Sequence, residues 1–430
     1  MGGVGIKIAA LVVFLAAYLC IVILYRRKIL VVWAAVGLLL GLRVLEPVEA
    51  WRALDWNVLL LYFGMLLVSE VFLLSRMPDY LATVLTGRSR RSAAAMLLLC
   101  LLAGFLSIAL ENVAVVLLVA PVALSIARRS KLNPVPLFVG LAVSSNLQGA
   151  ATLIGDPPSM LLAGYARLSF NDFFVFAGRP GIFFAVQVGA AASALVLWLI
   201  FRRHDSEMPE ISHERYLSLI PTILVLLLVV SLIVASSFQH GVLLLPGLLA
   251  CAFGLLSFGW FVLSGKGAGL RDFAGRLDWQ TGIFLAGIFV LVESLSAVGV
   301  LEDAARWIGA VSGRNAFLAF QLTLWLSVAF SAFVDNVPYL MAMLPVVGYL
   351  AGSVAVNPYV LYVALLLGAS VGGNITPIGA SANIVAMGLL KKAGHAPRFA
   401  EFVRIGLPFT LVAVTTSSLF VWVLFRSAVP

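Results

Sequence analysis

Charged side chains are scarce in this chain. Only 11% of its 430 residues are Asp, Glu, Lys or Arg, 62% are hydrophobic, and the mean hydropathy is +1.09. A water-soluble globule cannot be covered with so little polar surface, so the bilayer is the expected solvent. Cysteine is nearly absent too. Cys20, Cys100 and Cys251 each stand inside an apolar run with no CxxC spacing and no nearby histidine, which excludes a disulfide framework and offers no metal site. The four histidines, at 204, 213, 240 and 395, fall between apolar runs, and HExxH, Walker A and GxSxG patterns are missing. An enzyme reading therefore has no nucleophile or metal to stand on, and no cofactor is expected. The formal charge of +9 does not point to nucleic acid, because the basic residues sit in short clusters between apolar runs, where topology explains them.

Long apolar runs recur from end to end: Ile6 to Tyr25, Ile29 to Leu42, Trp56 to Leu74, Gly181 to Phe201, Leu217 to Ser236, Gly241 to Ser264, Thr281 to Val300 and Leu407 to Phe425. A crossing needs about 20 residues, so Ile29 to Leu42 is expected to extend into its flanks. The first run carries Lys7 near its start and no small-residue cleavage site, and is read as a retained helix rather than a signal peptide.

Four further segments are apolar but interrupted. Residues 93–127 are interrupted by Glu111-Asn112, 137–165 by Gly155-Asp156-Pro157-Pro158, 316–351 by Asp335-Asn336 and 359–389 by Gly372-Gly373-Asn374. Helices broken at membrane depth are a transporter device. Arg88, Arg90 and Arg91 precede 93–127 and Arg128, Arg129 and Lys131 follow it, which places both ends on the cytoplasmic side. Two full crossings would also satisfy that charge pattern, but a polar pair at the midpoint favours a re-entrant hairpin. Threading the chain on this basis puts Arg26, Arg27, Lys28, Lys266 and most of the other Lys and Arg residues inside, with Arg314 outside. Both termini then face away from the cytoplasm.

The sequence repeats itself. Leu54-Asp55-Trp56 matches Leu277-Asp278-Trp279 at an offset of 223 (277 − 54), and the same offset pairs Gly64 with Gly287 and Glu70 with Glu293. At 224 (336 − 112), Asn112 pairs with Asn336, Pro121 with Pro345, Thr152 with Thr376 and Gly155 with Gly379. Such a constant offset marks two copies of one unit. Each unit has five crossings plus a hairpin, and an odd number inverts the second copy. The expected fold is an all-α polytopic membrane protein with two inverted-topology repeats. About ten transmembrane helices accompany two re-entrant hairpins, with broken helices at the midplane. The first repeat is 1–203, a cytoplasmic linker follows at 204–216, and the second repeat is 217–430.

Ionisable groups at membrane depth are costly and hence functional candidates, and five acids qualify: Glu70, Glu111, Asp156, Glu293 and Asp335. The hairpin tips, Glu111-Asn112-Val113 and Asp335-Asn336-Val337, set a carboxylate and an amide where helix ends leave backbone groups free, although the acid could equally cap its own helix. The breaks at Thr152, Gly155 and Asp156, and at Thr376, Gly379, Ser381 and Asn383, combine glycine for close approach with proline that removes helical hydrogen bonds. Ser145, Asn146, Gln148, Ser370 and Asn374 add neutral donors and acceptors, suited either to ligand contact or to helix–helix bonding. Glu70, Glu111, Glu293 and Asp335 are the proton-coupling candidates, the coupling ion being H+ or Na+. No Lys or Arg is expected at the depth of these acids.

At ENVAVVLLVAPV, ATLIGDPPSMLLAG, FVDNVPYLMAMLPVV, GGNITPIGASANIVAMG and KKAGHAPRFAEFVRIGLP the chain resembles the ion transporter superfamily. It is most similar to the branch of arsenite permeases, sodium/proton antiporters and the P-protein. The resemblance covers essentially the whole chain. It implies a homodimer in the inner (plasma) membrane, a solute site between two hairpin tips and two broken helices, elevator-like movement, and room for a soluble ATPase partner. Dicarboxylate-carrying relatives use Ser-Asn-Thr at both tips, where this chain has acids, so citrate and succinate are disfavoured. Proton-coupled efflux of arsenite, antimonite or a similar small oxyacid is the leading expectation, and sodium/proton exchange the alternative.

Overall fold

The computed structural model describes residues 3–24, 27–87, 89–207, 215–237, 244–264, 269–313, 315–354, 356–395 and 397–426. Arg26, Arg88, Lys266, Arg314 and the histidines at 213 and 240 lie outside the described residues.

The first half runs α1 (Gly3–Ile23), α2 (Lys28–Gly41), α3 (Pro47–Arg52), α4 (Trp56–Leu74), α5 (Met77–Gly87), α6 (Ser92–Ser107), α7 (Asn112–Arg129), α8 (Val135–Gly149), α9 (Pro157–Ala166) and α10 (Ile182–Phe201). The second half repeats it as α11 (Ile220–Ser237), α12 (Leu245–Ser264), α13 (Leu270–Arg276), α14 (Trp279–Ala297), α15 (Val300–Val311), α16 (Ala316–Ser331), α17 (Asn336–Val354), α18 (Pro358–Gly372), α19 (Ser381–Lys392) and α20 (Phe399–Phe425). A two-residue ribbon, β1 (Val175–Phe176) against β2 (Arg179–Pro180), precedes α10. Among the described residues nine helices are long and apolar enough to cross a membrane, and α2, α6, α16 and most of α1 are shorter apolar helices. Outward faces stay apolar, with Leu19, Leu195, Leu226, Leu255 and Leu419 all at least 56% exposed, as a lipid-facing surface requires.

Matching sequence makes matching starts. Asp55 caps α4 by accepting the Val58 N–H at 3.0 Å, and Asp278 caps α14 by accepting the Thr281 N–H at 3.1 Å. The length of α2 departs from expectation: it does not extend into its flanks but stops after 14 residues, about 21 Å of helix. Arg43 turns the chain there with φ 53°, in the left-handed region. The amphipathic α5 and α15 were not foreseen, because 11 and 12 residues with polar members make no hydropathy run of spanning length.

The halves interlock rather than sit side by side. α4 packs on α12 and α14 on α2, so each repeat's third helix lies against the other's second. The broken helices exchange in the same way, with α9 on α17 and α18, and α19 on α7 and α8. Reciprocal contacts of this kind define an approximate two-fold axis between the copies, and α10 and α20, one from each repeat, pack together. Small residues allow the closest crossing. A Cβ on Gly64 would fall 2.3 Å from the Ala250 backbone, and one on Gly254 would fall 2.8 Å from the Gly64 carbonyl.

Candidate functional site

The two hairpin turns meet the two breaks where the repeats interlock. In each repeat a threonine of the break ties the turn down: the Thr152 hydroxyl donates to the Ile108 carbonyl, and the Thr376 hydroxyl donates to the Ala332 carbonyl. The breaks themselves close on glycine. A Cβ on Gly155 would stand 2.4 Å from the Gly149 carbonyl, and one on Gly379 would stand 2.6 Å from the Gly373 carbonyl. Those contacts explain why both positions lack a side chain. Pro157 and Pro158 then restart the chain as α9, in the first turn, where a missing N–H costs nothing.

Both tip acids cap their own helices. Glu111 Oε2 accepts the Ala114 N–H at 2.9 Å, and Asp335 Oδ1 accepts the Val337 N–H at 3.3 Å. Asn112 follows Glu111 into the interior and is pressed against the end of α8, where a Cβ on Gly149 would lie 2.5 Å from its Oδ1. That oxygen has no hydrogen-bond partner among the described residues. Asn336, its counterpart, is only half-buried.

Beyond the tips, the repeats differ. On one side Asn146 of α8 donates its amide to Asn374 Oδ1 at 2.8 Å and to Asn383 Oδ1 at 2.9 Å. Asn374 donates onward to the Val143 carbonyl, and Asn383 to the carbonyls of Gly373 and Thr376. This network joins both repeats and is fully buried, and its amide donors are taken up internally. Ser381 opens α19 at the network's edge and is half-buried.

On the other side stands Asp156, 2% exposed, which caps α9 by accepting the Ser159 N–H on Oδ1 at 2.9 Å. The side chains of Ser159 and of Ser370, from α18, adjoin the same carboxylate. Among the described residues neither hydroxyl makes a well-aligned hydrogen bond to Asp156 Oδ2, although both stand close enough to turn a proton towards it. A small cavity lined by Tyr62, Met65, Glu111, Ile154, Asp156 and Met160 joins the first tip to this break, and among the described residues no basic one lines it.

Asp335 does not share that cavity. It forms an ion pair with Lys28 at 2.9 Å, and Lys28 Nζ also lies 4.5 Å from the centre of the Phe284 ring. The expectation that no Lys or Arg compensates these acids is thereby corrected: Lys28 opens α2, and its long stem reaches the second tip. Glu70 is likewise 3.8 Å from Arg276. Glu293 lies within electrostatic range of Glu49, Tyr165 and Tyr349, and neither it nor Glu70 lines the cavity. Lys28 and Ser159 escaped the candidates drawn from sequence, whereas Ser370 was among the neutral groups flanking the second break. Ser159 could have been found by carrying the 224-residue offset (383 − 159) one step further, to its counterpart Asn383.

A family model of the citrate transporter matches residues 17–368. An uncharacterized transporter of Mycobacterium tuberculosis (strain ATCC 25618 / H37Rv) is 32% identical over 433 residues, which cover 97% of this chain and 98% of that protein. The 46 kDa membrane protein of Mycobacterium leprae is 31% identical, with the same shares. The P protein of Homo sapiens is 28% identical over 86% of this chain and 53% of its own length. Among solved structures, the Alcanivorax borkumensis YdaH transporter superposes with a TM-score of 0.56 at 15% identity, covering 86% of this chain and 85% of that one. Neisseria gonorrhoeae MtrF superposes with a TM-score of 0.57 at 14% identity, covering 92% and 86%. These two likenesses concern the fold.

Proposed function

This membrane transporter belongs to the citrate transporter family, and we propose that its cargo is a small, mostly neutral oxyacid such as arsenite or antimonite, expelled in exchange for protons. One observation carries the proposal: Glu111 and Asp156 line a single cavity that, among the described residues, has no basic residue in its lining. A trianion there would meet like charge at short range, costing about 3 kcal/mol per charge pair at roughly 5 Å and an effective dielectric of about 20. An uncharged solute bearing hydroxyls escapes that cost and finds acceptors in the two carboxylates. Glu111 is suited to carry the proton, since it borders the cavity at the tip of its hairpin and stands across it from Asp156.

Movement of an elevator type in a homodimer accords with two broken helices that exchange between repeats. Sodium/proton exchange is the second reading, favoured by a buried carboxylate, Asp156, with the hydroxyl oxygens of Ser159 and Ser370 beside it. Proteoliposomes loaded with arsenite or with sodium, under an imposed pH gradient, test both. Arsenite efflux that collapses with the gradient and in Glu111→Gln supports the first reading. Flux of citrate in its place would overturn it.

A further inference from the structure

The 224-residue offset also carries Trp198 to Trp422 and Arg202 to Arg426 (422 − 198, 426 − 202), so α10 and α20 end alike. Their surroundings differ. In the second repeat Trp422 lies against two rings of α16, with centroids 4.9 Å from Phe317 and 5.3 Å from Phe320. The first repeat has Ala93 and Met96 at those positions (317 − 93, 320 − 96), and Gly104 where α16 has Val328 (328 − 104). Trp198 is left 43% exposed. A narrow cleft runs beside it between α6, α8 and α10, with Cys100, Leu101, Gly104, Gln148, Ala194 and Leu197 in its lining. The cleft opens sideways past Leu101, which is 47% exposed on the apolar outer surface. Gln148 is already satisfied, exchanging hydrogen bonds of 3.0 and 2.8 Å with Gln187, so the lining asks for no polar guest.

The end of the cleft is basic. Arg202, one turn beyond Trp198, holds its guanidinium 5.3 Å from the centre of that ring, and Arg203 follows it, both exposed. Arg90 and Arg91 lead into α6 beside them, because the Ser92 N–H donates to the Ser206 carbonyl at 2.9 Å across the two helix ends. The acids there are Asp205, 2.8 Å from Arg91, and Glu207, which pairs with Arg91 through the main chain. Neither is given to Arg202 or Arg203. At 1.5 Å per residue, counted from Arg202 to Leu197 and from Ser92 to Gly104, the cleft lies about 8–18 Å below the arginines, which is the depth of acyl chains. Topology accounts for arginines at helix ends, but not for a cleft held open below them.

We propose that this cleft holds one acyl chain of an anionic phospholipid, with Trp198 at the level of the glycerol backbone and Arg202 and Arg203 on the phosphate. An apolar wall joined to a basic end matches a ligand that joins an apolar tail to a negative head. A zwitterionic lipid fits the same wall but brings its own cation to the arginines. One lipid per chain is expected, since the second repeat packs its tryptophan away and has Ser427 in the place of Arg203 (427 − 203). Because α6 is an arm of the first hairpin, the lipid braces from outside the element whose tip carries Glu111. The inference does not depend on the cargo.

Native mass spectrometry of the purified full chain tests it, after delipidation and titration with phosphatidylglycerol or with phosphatidylcholine of the same chains. Glycerol 3-phosphate supplies the head without a tail. Expected are one phosphatidylglycerol per chain, held about tenfold or more tightly than phosphatidylcholine, and no retained glycerol 3-phosphate. Arg202→Gln combined with Arg203→Gln should bring the two lipids to equal affinity. Leu101→Trp installs at an exposed position the residue that the second repeat has as Trp325 (325 − 101), and should weaken both lipids about tenfold or more by filling the cleft. Thermal melting in detergent checks that this variant folds, and Ala194→Leu, a smaller filling from the opposite wall, replaces it if it does not. Equal affinity of the natural chain for the two lipids overturns the proposal. So does glycerol 3-phosphate bound as tightly as the lipid, or lipid binding unchanged by a filled cleft.

Discussion

Replacing Lys28 by Met isolates the ion pair at the second hairpin tip. The pair is short, 2.9 Å, and the side chains of Lys28 and Asp335 are only 13% and 8% exposed. At an effective dielectric of about 20 the attraction is about 6 kcal/mol, most of which offsets the desolvation of two charges. Removal of one partner leaves the other buried and uncompensated, so Lys28→Met and Asp335→Leu should each destabilise by about 3–5 kcal/mol. The double variant should lose far less, because two apolar side chains of similar volume replace a pair whose net contribution is small. Thermal unfolding of the four proteins in one detergent, treated as a double-mutant cycle, should give a coupling of at least about 2 kcal/mol. Additivity within about 0.5 kcal/mol would refute the reasoning, since it would mean that the charges do not meet in a dry environment.

Gly64→Val sets a branched side chain where even a Cβ would stand 2.3 Å from the Ala250 backbone, so α4 and α12 must part; a loss of at least about 3 kcal/mol is expected, read as poor recovery of folded protein from membranes. Asn146→Ala removes the donor that serves both Asn374 Oδ1 and Asn383 Oδ1, and should cost about 1–3 kcal/mol for each oxygen left bare, seen as a lowered melting temperature that Asn146→Ser only partly restores. Asp205, in the linker after α10, binds the Arg91 guanidinium at 2.8 Å and the Ala93 N–H at 3.2 Å at the entry to α6. Burial alone would raise its pKa, but the hydrogen bonds from Ala93, Arg91 and Ser206 hold the carboxyl below the usual range. Its contribution is therefore present above about pH 4 and is lost as the pH falls through the lowered value. Asp205→Asn should remove less than about 1 kcal/mol at pH 7, given the exposure of Arg91, and progressively less as the pH falls below about 4, as unfolding curves over that range will show.

How much of this was legible follows from what each feature costs to encode. Helix starts are local, so Asp55 before α4 and Asp278 before α14 could be read directly, and their identical neighbours exposed the repeat. The tips were legible because Glu111-Asn112 and Asp335-Asn336 are the polar interruptions of apolar runs, and the turns fall beside them. The breaks were legible through Gly155 and Pro157. What the sequence concealed is long-range pairing. Lys28 and Asp335 lie 307 positions apart, and a lysine at the end of an apolar run reads as a topology signal until its partner is seen. Asn146 and Asn374 could be read either as solute ligands or as helix–helix bonds, and Asn383 as a ligand, because no linear pattern shows that amides from two repeats will satisfy one another.

The departures from symmetry say more about function than the symmetry does. Thr152 and Thr376, with Gly155 and Gly379, do the same work in both repeats: they hold a turn and close a break. A frame in which every position behaved that way would present two equivalent half-sites and no reason to favour one solute or ion. Three differences remove that equivalence. The first tip carries a glutamate on a cavity, whereas the second carries an aspartate already paired with Lys28. The first break ends in Asp156, whereas the second has Ala380 in its place. The amide of Asn146 answers the hydroxyl of Ser370. Each difference leaves negative charge or bare acceptors on the side of Glu111 and Asp156 and supplies a cation or amide donors on the other. The acids and acceptors thus gather on one half of the interface, whereas on the other half the amides of Asn146, Asn374 and Asn383 bond the two repeats to each other.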